Sequence, residues 1–265
     1  MSNWIATVIL GIVEGITEFL PVSSTGHLLI VEHFCDWRRS EFFNVGIQAG
    51  AVLAVILVYW KRLFELFKNW NQPQNKKFIL QCAAAFGITV VFGLGARKLG
   101  FKLDDANTWA VTGAVIVGAL LIFYSEKRLS SHASSEDIAW STAILVGAAQ
   151  VLAGIFPGTS RSAATIIAAM LMGTSRVAAT EFSFLLGIPT MFAASGYLLL
   201  KEVKDRGAPP FSEIQHFILG FLVSMVVAFI AVKWLLHYIR SHTFIPFAWY
   251  RLGLGIILII LLTKV

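Results

Sequence analysis

The sequence predicts an all-α polytopic membrane protein made of two inverted-topology repeats, with six transmembrane helices and two re-entrant helical hairpins. Three observations carry this expectation. The chain is 57% hydrophobic and only 14% charged, against about a quarter charged residues in soluble domains. Six apolar stretches approach the length needed to span a bilayer. Two further apolar stretches are broken half-way by Pro, Ser, Thr and Gly, at matching places in the two halves.

The six candidate spans run over 42–60, 78–96, 108–124, 181–200, 214–236 and 247–263; a helix needs about 20 apolar residues to cross. Polar segments at 61–77, 97–105, 125–137, 201–213 and 240–243 separate them and read as loops. A mean hydropathy of +0.75 makes lipid the natural solvent for this surface. The chain reads as a single membrane domain over 1–265, with repeat one over about 1–130 and repeat two over about 136–265.

The broken stretches cover 4–34 and 138–172. The first is interrupted by Pro21-Val22-Ser23-Ser24-Thr25-Gly26, the second by Pro157-Gly158-Thr159-Ser160-Arg161-Ser162. Proline cannot continue a helix, and Ser or Thr starts a new one as N-cap. Each piece is too short to cross, so each stretch is expected to enter the membrane, turn near the midplane and return.

A shift of 136 positions pairs Trp4 with Trp140, Gly11 with Gly147, Pro21 with Pro157, Ser24 with Ser160 and Ile30 with Ile166. Shifts of 141 and 140 pair Phe43 with Phe184 and Trp109 with Trp249. Each repeat holds three spans, an odd number, so the second copy is inverted. Such repeats place a ligand near the midplane between broken helices, and the two breaks are expected to meet.

The net charge is +6, from Lys and Arg scattered over short loops beside anionic headgroups. No aromatic–basic interleaving supports nucleic-acid binding. With the termini outside, eight basic residues fall on each side, Arg38, Arg39 and Lys102 among the outer ones. Lys233 and Arg240 tip the count weakly toward that orientation. Cys35 and Cys82 make no disulfide framework. The start lacks a basic n-region, so the first apolar stretch is expected to be retained.

Glu14 and Glu18 are four apart, which puts both carboxylates on one helix face. Two such acids repel unless one takes a proton or a cation lies between them. A divalent metal bridging them to a phosphate meets that need; the alternative is that this helix end is simply wet. Ser23, Ser24, Thr25 and His27 follow at once. Ser24 and His27 share one turn, and a hydroxyl beside an imidazole is an activated nucleophile. The imidazole can also attack phosphorus itself, and plain capping with a buried histidine is the structural alternative.

Arg161 is the sharpest signal. It opens the returning half of the second stretch, behind Gly158, Thr159 and Ser160 and before Ser162. A helix N-terminus and a guanidinium fork both suit phosphate oxygens. An intramembrane arginine needs an anion: Glu14 and Glu18, or a substrate phosphate. Arg251 reads either as a second phosphate contact or as a side chain snorkelling to headgroups. Gln150 takes the place of Glu14 in repeat two and reads as a polar neighbour of the site. Arg176 and Glu181 read as interfacial. Together these are parts for phosphoryl transfer on a lipid-tailed substrate.

At Glu14-Gly15-Ile16-Thr17-Glu18-Phe19-Leu20-Pro21-Val22-Ser23-Ser24-Thr25-Gly26-His27 and Pro157-Gly158-Thr159-Ser160-Arg161-Ser162 the chain resembles the undecaprenyl-diphosphate phosphatases of the bacitracin-resistance type. The resemblance covers essentially the whole chain. It implies hydrolysis of undecaprenyl diphosphate to the monophosphate and phosphate, which recycles the cell-wall lipid carrier in the bacterial inner membrane. It further implies a divalent cation, Mg2+ or Ca2+, a site open to the periplasmic side, a role in bacitracin tolerance and homodimerisation. By the same resemblance Glu14 and Glu18 bind metal or move protons, Ser24 or His27 attacks phosphorus, and Arg161 holds the diphosphate. The rival reading is a lipid-phosphate flippase or secondary transporter using the same inverted-repeat site. A merely structural membrane subunit leaves the midplane charges unexplained.

Overall fold

The structure is a computed structural model describing residues 3–35, 40–101, 107–130 and 134–263. Arg38, Arg39 and Lys102 of the charge tally lie outside the described residues. Among those described, the chain forms helices and no strand; Ser135 and Thr174 make an isolated bridge. The helices are α1 Asn3–Thr17, α2 Ser24–Cys35, α3 Glu41–Val58, α4 Trp60–Lys68, α5 Pro73–Lys98, α6 Thr108–Ser130, α7 Trp140–Ile155, α8 Arg161–Leu171, α9 Arg176–Arg206, α10 Phe211–Tyr238 and α11 Ile245–Thr263.

Five of them, α5, α6, α9, α10 and α11, are long and apolar enough to cross a membrane. α3 and α4 pass the same test together but are bent by 67° at their junction. α1 has 15 residues and spans about 22 Å at 1.5 Å per residue, short of the roughly 30 Å hydrocarbon core. Many large apolar side chains face outward, Trp4, Val91, Phe92, Trp109 and Ile256 among them. This is the surface of a multi-pass membrane protein.

Three expected loops are helical over a turn or more, one of them because α6 runs on through Ser130. The segment after residue 60 folds into α4, with Trp60, Phe64 and Phe67 exposed and Leu66 buried. Its charges form one face of an amphipathic turn rather than a loop. α9 continues through the charged residues at 201–206 and stops only at Gly207, whose φ of +82° suits a residue without Cβ.

α3 packs against α10, α9 and α1; α1 also lies along α10, and α7 lies along α5. α11 packs on α6, and α8 is held among α7, α9 and α6. Both broken stretches are helix, break, helix: α1 and α2 are separated by 18–23, α7 and α8 by 156–160. The residue before each second helix, Ser23 and Ser160, has positive φ, 74° and 69°. This region is disfavoured for serine and costs about 1–3 kcal/mol. Both side chains cap the helix that follows, accepting from Gly26 N at 3.3 Å and from Ala163 N at 3.3 Å. By conformation and role Ser23 therefore corresponds to Ser160, one position away from the Ser24–Ser160 pairing read from the sequence. That correspondence sets Ser24 and Arg161 in equivalent places, each as the first residue of its helix.

Candidate active site

The two breaks touch. Ser162 Oγ lies 3.3 Å from Glu18 O, 3.2 Å from Leu20 O and 3.0 Å from Ser160 Oγ. The one Ser162 hydroxyl proton, in the first turn of α8, is thus shared by carbonyls just past the end of α1 and in the first break. The N-termini of α2 and α8 converge on one place, where their backbone N–H groups favour an anion.

Glu18 is at the centre. Its Oε2 accepts a hydrogen bond from Ser24 Oγ at 2.9 Å, and its Oε1 lies 3.6 Å from Arg161 Nη2. The Glu18 and Arg161 side chains are 11% and 14% exposed, so the pair is largely withdrawn from solvent. Arg161 Nη1 donates to Ser183 O at 3.4 Å, and the guanidinium lies 5.2 Å from the centre of the Phe19 ring. Phe19 is held edge-on against Phe184. Arg161 Nε makes no hydrogen bond and Nη2 none beyond its approach to Glu18, so Nε–H and the second Nη2–H remain for an anion. α9 approaches closely enough to do this only because residue 187 is glycine: a Cβ there would meet Arg161 Cζ at 2.9 Å.

The expected contact between Ser24 and His27 is not made. His27 Nδ1 bonds Ser23 O at 2.7 Å, and Nε2 bonds the Tyr250 hydroxyl at 2.7 Å. A carbonyl can only accept, so Nδ1 carries the proton and neutral Nε2 accepts from Tyr250. The group in reach of the Ser24 hydroxyl is Glu18. Tyr250 carries no signal in the sequence, because its pairing with His27 spans 223 positions.

Arg251 neither snorkels nor presents its donors to a ligand. It is wholly buried, and its five hydrogen bonds all end on main-chain carbonyls. Nε bonds Val115 O at 3.0 Å, Nη1 bonds Pro21 O at 3.3 Å, and Nη2 bonds Ala114 O at 3.0 Å, Gly158 O at 3.4 Å and Thr159 O at 3.3 Å. One guanidinium therefore ties α6 to both breaks. Gly118 gives it room, because a Cβ there would run into the guanidinium. Gly158, with φ +87°, lies against Val111 O, where a Cβ would come within 2.6 Å.

Glu14 is fully buried one turn before Glu18. Thr25 is half-buried in the first turn of α2. The Thr159 hydroxyl bonds Phe156 O at 2.7 Å and stays within its own loop. Gln150 bonds Thr89 at 3.1 Å, in a groove between α5, α7 and α9, and makes no hydrogen bond to Glu18 or Arg161. Arg176 and Glu181 lie in the first turns of α9 and pair with Glu126 and Arg62 respectively.

No group of three or more His, Cys, Asp or Glu side chains is gathered among the described residues. Two carboxylates one turn apart nevertheless suit Mg2+ or Ca2+, hard ions that fill their remaining positions with phosphate oxygens and water. Glu14 and Glu18 fit that role in type and spacing.

The chain is similar to known proteins over nearly its whole length. The chain is 51% identical over 258 residues to a protein of Rhizobium etli (strain CIAT 652) named undecaprenyl-diphosphatase, covering 97% of this chain and 96% of the relative. A Methylacidiphilum infernorum (isolate V4) protein of the same name is 52% identical over 256 residues, covering 96% and 95%. One from Xylella fastidiosa (strain 9a5c) is 47% identical over 264 residues, covering 99% and 100%. Residues 7–257, which include both breaks, match the family described as bacitracin resistance protein BacA, and the chain belongs to that family.

Proposed function

We propose that the chain is an undecaprenyl-diphosphate phosphatase, which hydrolyses a polyprenyl diphosphate to the monophosphate and inorganic phosphate and so recycles the cell-wall lipid carrier. The names of the relatives support this reading. The observation that carries it is the shared Glu18 carboxylate, with Ser24 on one oxygen and Arg161 by the other, at the start of two converging helices.

The terminal phosphate binds Arg161 and the N-terminus of α8. Its charge draws the guanidinium from Glu18, whose carboxylate becomes the base for Ser24. Ser24 Oγ attacks the terminal phosphorus as its proton passes to Glu18. The bond from that phosphorus to the bridging oxygen breaks, and polyprenyl phosphate leaves with the proton. Water then attacks the phosphoserine, giving its proton to Glu18. The Ser24 oxygen departs, takes the proton back and inorganic phosphate is released. In this reading Ser24 attacks rather than His27, supported by Tyr250 holding Nε2 of His27 and by Glu18 lying on the Ser24 hydroxyl. Glu14 and Glu18 would hold a divalent cation, which when bound neutralises phosphate charge.

The architecture in this reading is a pair of inverted repeats with two re-entrant hairpins and a sixth span formed by α3 with α4. The exchange of contacts supports it: α1 lies on α10 as α7 lies on α5, and α2 touches α11 as α8 touches α6. The protein then sits in the bacterial inner membrane with its site toward the periplasm, among membrane lipids, and the family resemblance extends to a homodimer.

The test is phosphate release from a polyprenyl diphosphate by the purified protein, with and without Mg2+ or Ca2+. Release that depends on Ser24 and Arg161 supports the reading. A wild-type protein that binds the lipid and releases no phosphate would leave the transport reading instead.

A further inference from the structure

A groove of about 390 Å³ lies between α5, α7 and α9. Its lining is mostly apolar and includes Phe86, Val90, Leu94, Val151, Ala194 and Tyr197. The groove is adjacent to the Arg161 site through α9. Ser183 and Gly187 touch Arg161, and Thr190, Ala194 and Tyr197 continue in steps of three and four, which keep to one helix face. Thr190 stands about 4.5 Å along the axis from Gly187.

Gln150 also lines the groove. It is 4% exposed, its Nε2 bonds Thr89, and its Oε1 has no hydrogen-bond partner. Thr89 donates its one hydroxyl proton to Ala85 O at 2.9 Å, so it accepts from Gln150 Nε2, which keeps a second N–H. That second N–H is left to donate to a ligand oxygen, and leaving buried amide atoms unmet is costly. At the other end the Arg97 guanidinium lies 5.2 Å from the centre of the Tyr197 ring and closes the groove with an aromatic wall. The apolar stretch of α5 is the least buried of the five long helices, at 11%. The groove therefore opens sideways, toward hydrocarbon.

We infer that this groove seats the first isoprene units of the polyprenyl diphosphate, with the second Gln150 Nε2–H donating to the phosphate oxygen nearest the tail and the diphosphate at Arg161. The inference rests on the phosphatase reading above and adds where the tail lies. The chain leaves between α5 and α9 into the bilayer. A polar amide at the end near Arg161 and an apolar channel beyond it match an amphiphile whose charge is all at one end.

Gly93 and Gly154 line the groove, and a Cβ at either would meet nothing within 4 Å. Gly93→Leu and Gly154→Leu therefore fill the groove without a backbone clash, and both improve helix propensity. Each variant is assayed on a long polyprenyl diphosphate and on methyl diphosphate, which carries no isoprene unit to place. The expected result is a KM raised about tenfold or more for the long substrate, with kcat/KM for the short one within about twofold of wild type. Wild-type rates on both substrates would overturn the groove. Wild-type protein that cleaves neither substrate would overturn the phosphatase reading instead.

A second measurement does not depend on the variants folding. A polyprenyl diphosphate bearing a benzophenone in its first isoprene units is photolysed on the wild-type protein. Label on α5, α7 or α9 that excess polyprenyl phosphate displaces supports the seat. Label elsewhere, or label displaced equally by bulk phospholipid, rejects it.

Discussion

Glu18 and Arg161 face each other at 3.6 Å across the two breaks, 143 positions apart in sequence, and neither is more than 14% exposed. An ion pair so placed holds its geometry only while both charges are present. Removing one partner strands the other, at a cost of about 3–5 kcal/mol. Removing both with neutral side chains of similar size costs much less.

A double-mutant cycle on this pair follows. Glu18→Gln and Arg161→Met should each lower thermal stability in detergent, and the double variant should regain most of it. Activity behaves differently. All three should lose phosphate release by roughly a hundredfold to a thousandfold, as when a donor to a transition-state charge is removed. Recovery of activity in the double variant would contradict the assigned roles.

Ser24→Ala should abolish turnover with little change in stability, because only a single hydrogen bond to Glu18 is lost. His27→Gln and Tyr250→Phe should act together, since each removes one side of the same 2.7 Å contact. Their effects on kcat should be smaller than that of Ser24→Ala and should not add. Phosphoserine trapped by rapid acid quench in the wild type, and missing in Ser24→Ala, is the direct measurement. A phosphohistidine in its place would reverse the choice of nucleophile.

Arg251 is a positioning residue in this structure, and two variants separate that role from phosphate binding. Arg251→Lys keeps the charge but cannot reach carbonyls on α6 and both breaks at once. Gly118→Ala keeps Arg251 itself and places a methyl where the guanidinium lies. Both should lower the melting temperature and kcat together. If Arg251 instead served the substrate, Arg251→Lys would raise KM mainly and leave the melting temperature near that of the wild type.

The sequence located the two breaks and the residues at their tips because proline, serine and an intramembrane arginine are local signals. Glu18, Ser24, Arg161 and Ser162 were all legible in that way, and they come together. What escaped was pairing at long range. Tyr250 reaches His27, and Arg251 reaches Pro21 and Gly158, through the packing of α11 on α6, which no periodicity announces. Ser24 looked like a partner of His27 because the two share a turn. The positive φ at Ser23 re-aims the start of α2, so Ser24 points back at Glu18. α4 lies where the run of Lys and Arg predicts a loop, because Lys61, Arg62, Glu65 and Lys68 recur on one helix face.

The pin at the far end of α9 gives a last prediction, one that should move stability without touching chemistry. Glu126 is 3% exposed and bonds Arg176, at the start of α9, through both oxygens. Its Oε1 also accepts from the Phe244 N–H at 2.7 Å, just before α11. One carboxylate thus joins α6, α9 and α11, none of it in contact with Glu18 or Arg161. Glu126→Ala leaves a buried N–H and a half-covered guanidinium without their acceptor. The expected loss is about 3–5 kcal/mol, less the part that water recovers at Arg176, which is 26% exposed. Thermal unfolding in detergent should shift down clearly, while kcat/KM measured well below the transition stays within about twofold of wild type. An unchanged melting temperature would mean that the carboxylate does not tie these helices together, and a collapse of kcat/KM at low temperature would mean that the pin is coupled to the site.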